Sequence, residues 1–166
     1  MPEQQSFDVT TGCDLQEVDN AVNQAQKELS QRYDFRNVKF TLDFKRDENK
    51  VIIAAPDDFK QQAIFDVLQQ KLVKRQVPTQ NIQAGKKEEA TGGSVRQEYE
   101  LKQGIETDIA KRIVKFIKDQ KFKKVQASIQ KEQVRVASPS RDELQAAISA
   151  LKGEDFGIAL QFGNYR

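Results

Sequence analysis

The chain has 166 residues, of which 31% are charged, and its 27 basic and 25 acidic side chains leave a formal net charge of +2 at neutral pH. This balance is typical of a well-solvated surface and excludes a nucleic-acid polycation, so an electrostatic partner must find a local patch. The sequence has no histidine and a single cysteine. An internal disulfide, a histidine-activated nucleophile and the usual zinc sites are therefore excluded.

The same composition indicates a compartment. The N-terminal segment MPEQQSFDV has neither the charged nor the apolar region of a signal peptide. No apolar run approaches the roughly 20 residues that cross a bilayer. We expect a cytoplasmic protein without a membrane segment, a cofactor or an enzymatic activity. Cys13 is interpreted as a small residue in the turn before a helix, because no base is available to form its thiolate.

The first elements are a strand and a helix. Residues Ser6 to Thr11 alternate apolar and polar side chains, which indicates a half-buried strand. Asp14 is a good N-cap with Glu17 three residues later. The helix that follows carries one apolar stripe, formed by Leu15, Val18, Val22, Ala25 and Leu29.

A hairpin and a second helix follow. Val38 to Phe44 alternates, with Phe40 and Phe44 expected in the core, and a polar turn leads to a second strand, Val51 to Ala55. Pro56 and Asp57 open the helix, whose predicted stripe is Phe59, Ala63, Val67 and Leu72. Asn81 to Ala84 is a possible short strand, and the glycine-rich, charged segment 85–94 predicts a linker.

Beyond this segment the plan repeats. The pattern predicts a strand over Val95 to Leu101, a helix over Ile105 to Gln120 and a hairpin of Val125 to Ile129 with Val134 to Ala137. A further helix opened by Pro139 and Ser140 and a last strand over Ala159 to Phe162 follow. Short segments also match between the halves in the same order. They are FDVTTG with YELKQG, FRNV with FKKV, AP with SP, and IQAG with LQFG.

The repeat predicts an α+β fold of two ferredoxin-like βαββαβ domains from an internal duplication. Because the two first strands are nearly equivalent, they could be exchanged between the halves, and the pattern leaves both arrangements open. The predicted domains are 13–101, which uses strand 94–101 if the strands are exchanged, and 1–12 with 102–166.

Three features bear on binding. The outward hairpin positions carry no aromatic side chain, which disfavours RNA recognition by base stacking on the sheet. The helix at Ile105 and its exit are strongly basic, which is typical of a solvated helix end and also of a phosphate-binding patch. The turn Leu101 to Ile105 joins a strand, a glycine and a helix N-terminus, so its amides could face an anion, although a turn requirement alone explains the glycine. Ser140 fits an N-cap, and Arg141 beside it could hold phosphate.

The chain also resembles the bacterial YajQ family. The resemblance rests on SFDV, DLQEV, DFRNV, LKQGIE, SRDELQ and the ending LQFGNYR. It implies two ferredoxin-like domains that exchange their first strands, a cytosolic bacterial protein and nucleotide binding, with some members proposed as cyclic di-GMP effectors. It implies no enzymatic activity.

Matching positions of the resemblance give the candidate ligand contacts, each able to offer charge or backbone donors to phosphate: Arg36, Lys102, Gln103, Gly104, Arg141 and Arg166. The leading hypothesis is a nucleotide-binding protein for the cyclic di-GMP, GTP or ATP class. The alternative is a protein-interaction or RNA-associated adaptor that acts through its basic helix and uncovered sheet faces. A carboxylate-dependent enzyme ranks last, because no acid pair can be named.

Overall fold

The computed structural model describes residues 4–90 and 92–166. Helices and antiparallel strands form a mixed α+β structure with two four-stranded sheets. In chain order its elements are β1 (Gln5–Thr10), α1 (Leu15–Gln31), β2 (Thr41–Lys45), β3 (Lys50–Ala55), α2 (Asp58–Lys74), β4 (Ile82–Glu89), β5 (Val95–Leu101), α3 (Thr107–Asp119), β6 (Gln126–Gln130), β7 (Gln133–Ser138), α4 (Arg141–Lys152) and β8 (Gln161–Gly163).

The chain divides into two compact units. One, here the C-terminal unit, consists of the N-terminal residues up to Gly12 together with Gln103–Arg166, and the other, the middle unit, is Cys13–Lys102. The C-terminal unit has the strand order β6-β7-β1-β8, and the middle unit has the order β2-β3-β5-β4. The N-terminal strand therefore pairs with the last strands of the chain, and β5 pairs with the strands that precede it.

The core of the C-terminal unit lies between its sheet and the helices α3 and α4. Phe7 and Val9 of β1 are fully buried in it and lie opposite Val136 and Val134 of β7. The two helices contribute apolar stripes that include Ala110, Ile113, Ile117, Leu144, Ala147 and Leu151. The alternation of β1 therefore delivers every second side chain to this core, as its sequence pattern predicts.

The middle unit has its own core between its sheet, α1 and α2. Asp14 caps α1 as predicted, since its carboxylate accepts hydrogen bonds from two amides of the first turn. The predicted stripe of α2 is wrong at Phe59, which is 77% exposed. The fully buried Gln61 takes part in the core instead, and its amide donates to Gln97 and to the Tyr99 hydroxyl. Hydrogen bonds to other buried groups make this polar position tolerable, a pairing that helical periodicity does not show.

The predicted linker is wrong over much of its length. Residues Gly85 to Glu89 continue β4, and Lys87 to Glu89 pair with β5 beyond an irregularity in register between Ala84 and Lys87. The strand lies at the edge of the sheet and is exposed on both faces after Ile82. It carries charges in place of alternation, as protected edge strands often do. Positive φ angles at Gly92 and Gly93 shape the turn that follows.

Among the residues that the structure describes, no helix is both long and apolar enough to cross a membrane.

The position of β1 predicts the effect of a core substitution. Phe7→Ala should lower the free energy of unfolding of the C-terminal unit by about 3–5 kcal/mol, because it leaves a cavity under β7. Hydrogen exchange measures this directly: amides of β7 should exchange faster, while those of β3 keep their protection. Phe59→Ala, on the exposed surface of α2, is the control and should stay within about 0.5 kcal/mol. Unchanged protection of β7 in Phe7→Ala would contradict the strand placement.

Candidate functional site

A cavity of about 250 Å³ opens at one end of the C-terminal unit. Its walls come from the start of β1, the first two turns of α4 and the tail that follows β8. The lining residues are Gln5, Ser6, Phe7, Arg141, Leu144, Gln145, Ile148, Tyr165 and Arg166. Two of the six sequence-predicted contacts, Arg141 and Arg166, thus lie in one cavity although they are 25 positions apart.

Local sequence determines how α4 presents Arg141. The Ser140 hydroxyl caps the helix by accepting from the Glu143 amide at 3.3 Å, as its sequence predicts. Leu144 and Ile148 then turn toward the core, and Arg141 and Gln145 form a row beside them because residues four apart share a helix face. One wall of the cavity is therefore apolar at its base and carries a guanidinium and an amide at its rim.

The tail presents Tyr165 and Arg166. Arg166 exchanges two backbone hydrogen bonds with Ser6 of β1, at 3.2 and 3.0 Å, which extends the pairing beyond β8. The Tyr165 ring lies 6.3 Å from the Phe7 ring between centroids and remains 63% exposed. An exposed ring supported from below by a buried ring is a flat apolar surface on which a planar group could stack.

The charge of the cavity is positive. Its described lining contains two arginines and no aspartate or glutamate side chain. Neither guanidinium lies within salt-bridge distance of a carboxylate in the described part of the chain. Arginine offers a planar fork of donors that suits phosphate oxygens. This arrangement can bind an anion that also carries an apolar ring.

Next to the cavity, Asp8 of β1 is almost completely buried, at 2% exposure. It accepts a hydrogen bond from Arg135 at 3.0 Å, and its second oxygen accepts from Asn164 at 2.8 Å and Gln133 at 3.3 Å. Burial raises the pKa of the carboxyl, but the hydrogen bonds from Arg135 and Asn164 outweigh this effect and hold the pKa below its ordinary value of 3.8. Asp8 is therefore ionised at neutral pH, and it joins β7 to the tail.

Gln103 and Gly104 belong to the same unit but do not line the cavity. A Cβ at position 104 would lie 2.7 Å from a carboxylate oxygen of Glu132, and the Ile105 amide donates to the Glu132 carbonyl at 2.9 Å. Helix α3 begins at Thr107 with Glu106 at its N-cap, later than the predicted Ile105. The close approach of Glu132 accounts for the glycine, and of the turn amides predicted to face an anion, that of Ile105 is bonded to Glu132.

Arg36 and Lys102 lie in the middle unit. Arg36 is exposed and follows the short turn Tyr33–Phe35. Lys102 forms an ion pair with Glu100 at 3.3 Å, and its backbone exchanges hydrogen bonds with Asn81 at 2.8 and 2.9 Å. The structure thus assigns the six predicted residues to three places and gathers two of them around the cavity.

Three of the lining residues, Tyr165, Gln145 and Phe7, are not among the predicted site residues. Phe7 has the alternation of a core residue and serves as one, so no local signal marks its second role. Tyr165 did carry a signal, because an aromatic residue precedes a predicted phosphate contact in the polar ending GNYR. The long-range pairing that brings it to α4 could not be read from that segment.

Cys13 does not behave as a reactive thiol. It is 8% exposed, and burial raises the pKa of its thiol to about 11, which keeps it protonated at neutral pH. Among residues 4–90 and 92–166, no three histidine, cysteine, aspartate or glutamate side chains form a cluster able to hold a metal ion.

Comparison with known proteins decides the family. The family model described as "Nucleotide-binding protein YajQ-like" matches residues 5–166. The chain belongs to the YajQ-like family. Two relatives, both named "Nucleotide-binding protein", share 48% identity with it: one from Acidithiobacillus ferrooxidans, over 97% of this chain and 98% of its own, and one from Desulfitobacterium hafniense, over the full length of both. A third, from Trichlorobacter lovleyi, has the same name and is 49% identical over 97% of this chain and 98% of its own. This YajQ-like protein thus shares nearly its whole length with bacterial relatives.

The lowered pKa of Asp8 predicts acid-sensitive stability. Its carboxylate contributes fully above about pH 4, the ordinary aspartate value, and the contribution is lost as pH falls through the lower folded value. Asp8→Asn should therefore be less stable than the wild type at pH 7, and the difference should shrink below about pH 3. Urea denaturation between pH 7 and pH 2.5 measures it. Asp119→Asn, exposed on α3, should follow the wild type, and a constant gap between Asp8→Asn and the wild type would contradict the assignment.

Proposed function

We propose that this chain binds a nucleotide in the cavity of the C-terminal unit. In this proposal Arg141 and Arg166 hold phosphate, and the base stacks on Tyr165. One observation carries it: Arg141 and Arg166, neither of which has an ion-pair partner among the described carboxylates, line the same cavity as an exposed aromatic ring. The relatives' name, nucleotide-binding protein, agrees with this chemistry.

The size of the cavity bears on the ligand. At about 250 Å³ it is smaller than the roughly 300–1,000 Å³ typical of sites that enclose a drug-sized ligand. A bound nucleotide would leave part of itself in solvent, with phosphate at the rim and one base against Tyr165. The candidates are cyclic di-GMP, GTP and ATP, and an effector role for cyclic di-GMP is part of the proposal.

The proposal is of a binding protein and not of an enzyme. The buried Cys13 thiol supports this reading, because a protonated thiol is a poor nucleophile. We also propose a cytoplasmic location, where nucleotides are abundant and a lone cysteine stays reduced.

We further propose that both units follow the ferredoxin-like plan, with an internal duplication and exchanged first strands. The strand orders β6-β7-β1-β8 and β2-β3-β5-β4 support it, because each becomes 2-3-1-4 when β1 and β5 count as first strands of the units they join. The corresponding domains would be 13–101 and 1–12 with 102–166.

Arginine substitutions test the site. Arg141→Ala and Arg166→Ala should each weaken nucleotide binding about tenfold or more, because each removes charge-assisted hydrogen bonds to phosphate. Isothermal titration with cyclic di-GMP, GTP, ATP and GMP at two salt concentrations identifies the ligand and its salt dependence. Lys131→Ala, an exposed lysine in the β6–β7 turn, is the matched control. Loss of binding in Arg36→Ala or Lys102→Ala instead would move the site to the middle unit.

A second function, an RNA-associated or protein-interaction adaptor, is favoured by the basic face of α3. Lys111, Lys115 and Lys118 lie on one side of the helix within about 10 Å, and Lys121, Lys123 and Lys124 follow it. All six are exposed and make no ion pair with a described carboxylate. In the middle unit, seven basic side chains form ion pairs, namely Arg32, Lys50, Lys71, Arg75, Lys87, Arg96 and Lys102, whereas Arg36, Lys39 and Lys45 form none with a described carboxylate.

This second function predicts salt-dependent binding of a single-stranded RNA. The triple variant Lys111→Glu, Lys115→Glu, Lys118→Glu should lose affinity and flatten the slope of log K against log salt by about 0.7 for each lost contact. Fluorescence anisotropy with a labelled RNA 20-mer measures both. The pair Lys39→Glu, Lys45→Glu on the other unit is the control. A wild type that binds no RNA at low salt would contradict the RNA version and leave a protein partner, sought by affinity capture after nuclease treatment.

A further inference from the structure

The tail pairs with β1 in two registers. Along β8, Asp8 lies opposite Gly163, Val9 opposite Phe162 and Thr10 opposite Gln161. Continuing this ladder would place Tyr165 opposite Ser6, yet Ser6 exchanges its hydrogen bonds with Arg166. The tail therefore contains one more residue than β1 between the two pairs, which is a β-bulge.

Asn164 is the bulged residue. Its φ of 57° lies in the left-handed region, which asparagine tolerates better than most residues other than glycine. Because successive strand residues point to opposite faces, one added residue reverses the side chains after it. Tyr165 is thereby placed on the face of Phe7, where the two rings approach to 6.3 Å. Without the bulge it would share the face of Ser6 and Asp8, away from α4.

The side chain of Asn164 holds the bulge in place. The Asn164 amide donates to Asp8 at 2.8 Å, and Asp8 is itself fixed to β7 by Arg135 at 3.0 Å. The carboxylate is 2% exposed, so this charge-assisted bond is shielded from water. The Arg166–Ser6 backbone pair and the Tyr165–Phe7 contact also hold the two exposed residues beyond Asn164, and the side-chain bond adds to them where chain ends otherwise fray.

We propose that Asp8 and Asn164 are positioning residues that lock the bulge and so keep Tyr165 on the cavity side of the sheet. The ligand need not touch either of them. The expected effect on ligand binding rests on the proposed nucleotide site, whereas the order of the tail can be measured without any ligand. Binding would be sensitive to the lock because an apparent Kd rises in proportion as the competent fraction falls.

Variants at Asn164 separate the backbone requirement from the hydrogen bond. Asn164→Gly keeps the left-handed conformation and removes the donor, and Asn164→Asp places a second carboxylate against Asp8. We expect the ¹⁵N heteronuclear NOE of Tyr165 and Arg166 to fall in both, most in Asn164→Asp. The titration Kd for the nucleotide that the wild type binds should rise at least about threefold. Asn37→Gly, a left-handed asparagine of the middle unit with φ 61°, is the matched control and should change neither.

The double variant Asp8→Asn, Asn164→Asp restores a donor and an acceptor with their places exchanged. If the hydrogen bond is the lock, it should recover tail order and affinity relative to Asn164→Asp alone, a recovery that general destabilisation would not produce. Unchanged NOE values in Asn164→Gly and Asn164→Asp would overturn the inference. If the Asn164 variants lower the order of the tail but the wild type binds no nucleotide, the lock is supported and the proposed function is refuted.

Discussion

The insertion of β1 between β7 and β8 is the contact on which the C-terminal unit depends. Phe7 and Val9 face its helices and are fully buried, while Asp8 between them faces the other way and is just as inaccessible. Six residues from the far end of the chain thus supply core packing, a buried anion and one wall of the cavity. Closing so long a loop has an entropic cost that grows only slowly with length, so a well-packed strand can offset it.

The buried carboxylate of Asp8 favours one register of β1 against its neighbouring strands. An unpaired carboxylate in such a position would be strongly unfavourable, and Asp8 is tolerated because Arg135, Gln133 and Asn164 satisfy it from both neighbouring segments. Shifting β1 by one residue would bury Asp8 among apolar side chains and place Phe7 among the polar groups that now bind Asp8. The same carboxylate therefore specifies the register of the sheet and the path of the tail.

The two units use their charges differently. In the middle unit, Lys50 and Arg96 both contact Glu98, and similar ion pairs recur over its surface, so much of its positive charge is neutralised locally. In the C-terminal unit the basic side chains of α3 and the cavity remain without such partners among the described carboxylates. The net charge of the whole chain, only +2, therefore does not describe the charge on any one surface.

The sequence by itself determined the elements and their caps, because period, capping and turn chemistry are local: Asp14 and Ser140 cap the helices they were expected to cap. It failed at Phe59 and over Gly85 to Glu89, where exposure depends on neighbours that are distant in the chain. Tertiary structure alone decided that β1 joins β7, that Glu132 fills the space beside Gly104, and that Arg141 lines the same cavity as Tyr165 and Arg166. Each of these is a juxtaposition of segments far apart in sequence, and strand patterns that fit either sheet equally well cannot specify which pairing is formed.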